Sequence, residues 1–339
     1  MSQRRIYKRR NAPRRFRVPI GLGLIIVIAL IAVCLWLPST TIDLGDVDIS
    51  DPDLPTALPS FTPLPLPTKP NSGRIIFTCT RGDFNQLCIV NGDGTGYQQI
   101  TNVEAHNYYP VYSPKGDAIV YASNQNGGFF DLFLFIFDGS RLIRLTENIG
   151  NVLSPSFSPE GATILFANRA ADGPTSLWTV DQAGKNPELL YAGPNTIVAA
   201  DWSPDGGTIA FAMAVDRPDA YEIFLMDVDG TNVRRITYGL EGIGGSLDWS
   251  PNGRYLLIYA GPPGDKDIFR IDVEAQTASQ LTNGGNNAAS AYSPDGEWIA
   301  FNSLRNDDQA DIYVMRADGS SVQQITDNPE PDWQPQWEP

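Results

Sequence analysis

The chain has 339 residues, 42% hydrophobic and 19% charged, enough to bury a sizeable core in one large domain or two ordinary ones. Its 31 glycines and 27 prolines suit short strands joined by many turns and argue against a helical bundle or coiled coil. The formal charge of −15 excludes binding to nucleic acid through its phosphates, which needs clustered Lys and Arg. The average conceals a division. Residues 1–18 carry eight basic groups and no acid, whereas residues 71–339 carry 15 basic and 34 acidic groups, a net of −19.

The first predicted element is a helix. Ile20 to Leu37 reads IGLGLIIVIALIAVCLWL, without a charge. At 1.5 Å per residue it would be about 27 Å long, close to the hydrocarbon thickness of a bilayer. Pro19 suits a first helical turn, and Pro38 suits a stop. The basic residues 1–18 should stay cytoplasmic and send everything after Pro38 to the other side. A cleaved signal peptide would have a shorter apolar run and small residues at the cut. A lipidated cysteine would follow a small residue, and Cys34 follows Val33. The reading adopted is therefore a retained signal anchor over 19–37, with Trp36 at the interface and Cys34 as one more apolar residue.

Residues 38–70 hold eight prolines, and five aspartates fall between Asp43 and Asp53. Proline removes backbone donors and fixes φ, so this stretch is predicted to form neither helix nor interior strand. The run PTALPSFTPLPLPTKP favours polyproline II, and the segment reads as an extracytoplasmic tether reaching up to ~100 Å. It could also dock on a proline-recognition module.

The remainder repeats. Ser-Pro-x-Gly occurs at Ser113, Ser158, Ser203, Ser250 and Ser293, each preceded by an aromatic: Tyr112, Phe157, Trp202, Trp249 and Tyr292. A β-like run follows each turn (AIVYAS, TILFAN, TIAFAM, YLLIYA, WIAFNS), then a loop, a second run such as EIFLMDVDG, and a third. Five third runs close on Thr101, Thr146, Thr237, Thr282 and Thr326, each after Ile or Leu. Proline belongs at the second position of a tight turn and glycine where φ turns positive. Asp-Gly at 93–94, 138–139, 229–230 and 318–319 signals hairpins. Four short strands and an aromatic per ~45 residues are the signature of propeller blades. The first unit starts at RIIFTC without an inner strand, and Pro335-Gln336-Trp337 supplies a spare one. The expectation is an all-β, six-bladed β-propeller over residues 71–339, closed by the C-terminal strand pairing into the first blade.

Residues 74–339 resemble the TolB-like β-propeller repeats, whose units carry a W-S-P-D-G turn, an I-A-F strand and an I-Y-x-M hairpin strand. Trp202-Ser203-Pro204-Asp205-Gly206, Ile299-Ala300-Phe301 and Ile312-Tyr313-Val314-Met315 carry the likeness. The resemblance implies an exported bacterial protein that binds partners. Here the expected anchor and tether precede the repeats.

Cys79 and Cys88 fall in neighbouring strands of the first unit, at positions where other units have serine (Ser123, Ser303) and aromatics (Phe133, Trp178, Phe224, Phe269, Tyr313). Outside the cytoplasm, two neighbouring departures to cysteine point to a cross-strand disulfide, with two buried thiols as the alternative. His106 is the single histidine, which precludes a multi-histidine metal site. It could act as a general base, though a plain loop residue is the simpler reading. No Gly-x-Ser-x-Gly elbow and no phosphate-binding glycine loop occurs. Acidic strings such as Asp227-Val228-Asp229-Gly230 lack the remaining ligands of an EF-hand and read as turn chemistry. No metal and no cofactor is expected.

The loops leading into the inner strands and those joining the two middle strands share one face of a propeller. They carry His106, Tyr108, Tyr109, Phe129, Phe130, Tyr221, Tyr238 and Trp333, an aromatic set with little lysine that suits a binding patch. The sequence thus reads as a single-pass protein of a bacterial cell membrane, its amino terminus cytoplasmic and its propeller displayed outside. The propeller would be a non-catalytic scaffold for a protein, peptide or envelope glycan. The alternative is a carbohydrate-active lyase or hydrolase with a site on the channel face.

Overall fold

The computed structural model describes Pro70 and residues 73–138, 141–170 and 173–339. The basic segment 1–18, the expected membrane span 19–37 and, apart from Pro70, the proline-rich tether 38–70 lie outside the described residues. Within the described residues, 24 strands form six antiparallel four-stranded sheets. These are the blades of a propeller. Blade 1 comprises residues 74–99 with 332–337, blade 2 residues 107–144 and blade 3 residues 151–191. Blades 4, 5 and 6 comprise residues 197–235, 247–280 and 288–324.

The innermost strands are Asp332–Trp337, Asn107–Tyr112, Asn151–Phe157, Ile197–Trp202, Leu247–Trp249 and Ala288–Tyr292. Each packs against the next around the ring, and the last against the first. Closure is the antiparallel pairing of Asp332–Trp337 with Arg74–Arg81, placing Trp337 opposite Ile75 and Asp332 opposite Cys79. An Arg74–Glu338 ion pair lies beside this seam.

The second strand of each blade is apolar along almost its whole length because both faces are covered by neighbouring blades. Phe77, Phe166, Phe211 and Phe301 take equivalent places there and are fully buried. Each such ring contributes roughly 1.5–3 kcal/mol of burial. The core is accordingly a series of inter-blade clusters. One, between blades 6 and 1, gathers Phe77, Val90, Trp298, Ala300, Val314 and Trp337.

The repeated turns work as their chemistry dictates. In blade 4 the Gly206 N–H donates to the Ser203 carbonyl (2.9 Å), with Gly206 at φ 72, and Ser203 Oγ accepts the Thr208 N–H (2.9 Å). A Cβ on Gly206 would lie 3.7 Å from Pro159 of blade 3, and one on Gly161 would lie 3.3 Å from Pro114 of blade 2. Proline of one turn therefore packs on glycine of the next around this face, called here the turn face.

The Ile-Thr and Leu-Thr pairs mark a second repeated device on the opposite, loop face. In blade 5, Thr282 Oγ1 accepts the Ile268 N–H (2.9 Å) and donates to Asp267 Oδ1 (2.8 Å), which Asn287 Nδ2 also approaches (3.1 Å). Thr146 serves Asp131 in blade 2 in the same way, Thr326 serves Asp311 in blade 6, and Thr101 serves Gln86 in blade 1. Thr237 bonds Glu222 in blade 4. Blade 3 has Ala192 in this place and lacks the clamp.

Cys79 and Cys88 are joined by a disulfide. Cys79 stands opposite Gln86 and Cys88 opposite Phe77, so the bond crosses the strand pair diagonally at a Cα separation of 5.9 Å. Both residues are fully buried in the cluster beside the closure seam.

Candidate functional site

Bulges in the inner strands shape the loop-face mouth of the channel. The pairing of the inner strand slips in blade 2 between Tyr108 and Val111, in blade 6 between Ala288 and Ala291, and in blade 1 opposite Ile76 to Thr78, where Trp333 and Gln336 are the flanking partners. Tyr109 (φ 54), Ala289 (φ 47) and Gln334 (φ 56) are thereby held in the left-handed region. That conformation costs a non-glycine residue about 1 kcal/mol or more, and surrounding contacts must hold it. Gln334 supplies such contacts: its Oε1 accepts the Tyr109 N–H (3.0 Å) and the Thr78 hydroxyl (2.9 Å). Its own N–H faces Asn302 Oδ1 at 3.3 Å.

Two cavities meet at Tyr109 and Gln334. The first, about 180 Å³, lies at the channel mouth among Pro110, Val111, Ser246, Tyr259, Ser290 and Gln336. The second, about 200 Å³, is an apolar cleft between Tyr108, Phe130, Val152, Leu153 and Trp333. No charged side chain lines either, although the protein around them is strongly acidic. Tyr108 is fixed from behind: the Asn85 Nδ2–H group donates to its hydroxyl (2.6 Å), and the His106 ring lies parallel to it, 6.0 Å between centroids. Phe130 meets the same tyrosine ring at 5.5 Å. The indole Nε1 of Trp333 and the Ser246 hydroxyl are buried and have no hydrogen-bond partner among the described residues.

Blade 5 is built differently at this mouth. Tyr259 occupies a place taken by Ala122, Ala167 and Ala212 in blades 2 to 4 and by Asn302 in blade 6. Its hydroxyl accepts the Gly245 N–H (2.9 Å). A Cβ on Gly244 would fall 1.8 Å from the tyrosine ring, so the glycine is what admits that ring. Burial raises the hydroxyl pKa of both Tyr259 and Tyr109.

At the turn-face end the channel holds two carboxyls. Asp201 accepts from Ser156 Oγ (2.5 Å) and from the Trp249 N–H (3.2 Å). Asp248 accepts from the Tyr292 N–H (2.8 Å), with Gln336 Nε2 at 3.4 Å. Each thus caps a backbone donor on the axis-facing edge of the next blade's inner strand, where no further strand pairs. Burial pushes Asp201 up to about 6. Burial, and then the neighbouring Asp201 charge, holds Asp248 well above the usual carboxylate range.

Of the eight loop residues singled out by sequence, the structure brings Tyr108, Tyr109, Phe130 and Trp333 around one cleft and places His106 directly behind it. Phe129 does not line the cleft. Tyr221 packs into the cluster between blades 4 and 5, and Tyr238 is 69% exposed beneath the Arg235 guanidinium (4.5 Å). Sequence reasoning missed Gln334, Tyr259 and the Asp201–Asp248 pair. The signal was available as departures from the repeat: tyrosine for alanine at 259, and aspartate two residues before the Ser-Pro turn in two consecutive units. Among the described residues, no three His, Cys, Asp or Glu side chains cluster as a metal site would require.

A family model described as the TolB beta propeller domain matches residues 67–196 and 167–339, which together span the whole ring. The chain belongs to the TolB β-propeller family. Its similarity to an uncharacterized protein of Agrobacterium fabrum is 38% identity over 114 residues, a third (33%) of this chain and 38% of that protein. The Tol-Pal system protein TolB of Anaeromyxobacter dehalogenans is 30% identical over 117 residues, 34% of this chain and 26% of that protein. The chain therefore spans well under half the length of these curated relatives. Among solved structures, TolB from Acinetobacter baumannii superimposes with a TM-score of 0.70 at 20% identity, over 79% of this chain and 67% of that one. An oligogalacturonate lyase in complex with manganese reaches 0.53 at 17% identity, over 75% and 73%. At these identities the likeness is one of fold.

Proposed function

We propose that this TolB-family propeller is a non-catalytic binding scaffold, anchored by residues 19–37 and displayed outside the cytoplasm on its proline-rich tether. Its partner is an extracytoplasmic protein or peptide held at the loop-face mouth. The observation that carries the reading is the charge-free aromatic cleft around Tyr108, Tyr109, Phe130 and Trp333, braced by strained backbone at Tyr109 and Gln334. Backbone strain and clustered aromatics both mark interaction surfaces better than they serve packing alone. The TolB relatives support an envelope setting, since one of them carries the Tol-Pal system in its name.

A photoreactive residue introduced at Tyr108 in intact cells tests this, with the same residue at Leu189 on the exposed outer edge of blade 3 as control. Discrete adducts from position 108 alone are expected. Identical adduct patterns from both positions would contradict a dedicated site. A reporter enzyme active only outside the cytoplasm, fused after Pro339, checks the topology and should be active. The enzyme reading would place chemistry on the Asp201–Asp248 pair, whose elevated pKa values suit a proton donor. That pair lies at the other end of the channel from the aromatic cleft and already serves the inner-strand edges.

A further inference from the structure

Resting on the reading of the loop-face cleft as the binding site, we propose that it takes a quaternary ammonium group, the head of a small solute of choline's kind. The argument begins with the walls. Tyr108, Tyr109, Phe130 and Trp333 all line the cleft, and each is half-buried. Trp333 has its indole nitrogen buried, so what it offers a ligand is ring carbon. The Tyr108 ring meets Phe130 at 5.5 Å and Tyr109 at 6.1 Å, with interplanar angles of 50° and 49°. Rings tilted in this way make a concave wall and not a flat stack. The face of such a ring attracts a cation within about 6 Å of its centroid. A cleft of about 200 Å³ keeps a seated cation inside that range of more than one ring.

The field around the cleft has one sign. Segments 102–109, 124–130, 145–153 and 327–334 supply every wall but Ala122, and they hold five acids (Glu104, Glu147, Asp327, Glu330, Asp332) and no Lys or Arg. Asp332 faces Arg81 and Glu147 faces Arg144, whereas Glu104 and Asp327 stand exposed. An anion is repelled from such a mouth and a cation is drawn to it.

The acids surround the cleft and do not line it, and that separation decides which cation fits. A primary ammonium or a guanidinium would exchange its water for walls of carbon, leaving N–H donors unsatisfied at a cost. The one amide oxygen at the wall, that of Gln334, is already committed to Tyr109 and Thr78. A quaternary ammonium has no N–H to satisfy, and it gains from the ring faces and from the field together. A neutral group of the same shape gains burial alone.

The test titrates the full chain in maltoside micelles by calorimetry with three probes: choline, ethanolamine, and the dimethylbutanol in which carbon replaces choline's nitrogen. Choline is expected to bind saturably, and the other two at least about tenfold more weakly. Tyr108→Leu and Phe130→Leu keep apolar bulk and remove a ring, and each should weaken choline about tenfold; Tyr108→Phe keeps the ring and should stay within about twofold of the wild type. Raising salt should weaken choline and leave the neutral probe unchanged. Equal affinity for choline and its neutral isostere would overturn the inference, and so would equal losses from Tyr108→Phe and Tyr108→Leu. No choline binding with discrete adducts still formed at position 108 would overturn it and leave the scaffold reading in place. Absence of both would sink both.

Discussion

Asp201→Asn should stabilise the protein at neutral pH, by an amount that disappears on acidification. The carboxyl sits at about 6 in the folded state against a reference of 3.8. A carboxyl whose folded pKa is raised binds its proton more tightly in the native state. Stability then falls as pH rises from the unfolded value through the folded one, and the loss is complete above about 6. The shift of roughly 2 units corresponds to about 3 kcal/mol at most, before the hydrogen bonds lost by asparagine are subtracted. The neutral amide can still accept from Ser156 or from the Trp249 N–H, and it removes the charge that raises Asp248. Urea unfolding of the full chain, followed by tryptophan fluorescence at pH 4, 5, 6 and 7.5, measures the gap. The variant should gain on the wild type by about 1–3 kcal/mol between pH 4 and 7.5. A variant less stable by the same amount at every pH would refute the reasoning. It would show that the carboxylate is repaid by its donors and is not buried at a cost.

Three further changes probe the framework. Thr282→Val should cost about 1–3 kcal/mol in urea melts, because it strips partners from the buried Asp267 and from the Ile268 N–H; Thr282→Ser should recover most of it. Gly244→Ala should destabilise by at least 1 kcal/mol in the wild type and by much less in Tyr259→Ala, since the clash is with that ring; equal costs in both backgrounds would remove Tyr259 from the account. Cys79→Ser with Cys88→Ser should lower stability by about 2 kcal/mol, as expected for a short closed loop, and thiol titration of the oxidised wild-type protein should find neither cysteine reactive.

The ring was legible because its signals are local and repeated. Ser-Pro-x-Gly fixes a turn through one proline, one positive-φ glycine and one serine hydroxyl. The same three interactions recur at Ser113, Ser158, Ser203, Ser250 and Ser293. The threonines closing the third strands were visible as a pattern, but their partners were not. Thr282 and Asp267 lie 15 residues apart and meet only because a hairpin returns. The cleft was half legible. Loop aromatics could be placed on the correct face from topology, yet nothing local distinguishes Tyr108, which enters the cleft, from Tyr238, which lies on the surface under Arg235. Tyr108 stands beside the strand irregularity at Tyr109, whose N–H is held by Gln334 of blade 1. Gln334 joins the chain's end to its first two blades, and Asp201 joins consecutive blades one repeat apart; a repeat read one unit at a time shows neither pairing.

The central claim is that this propeller binds its partner at the loop-face cleft. The most direct measurement recovers the full chain from intact cells after crosslinking, in three forms compared quantitatively: wild type, Tyr108→Ala with Trp333→Ala, and Asp201→Asn at the opposite end of the channel. The account predicts that crosslinked partner is lost from the double cleft variant and retained by Asp201→Asn, with all three forms present at equal level. Partner retained by the cleft variant and lost from Asp201→Asn would contradict it.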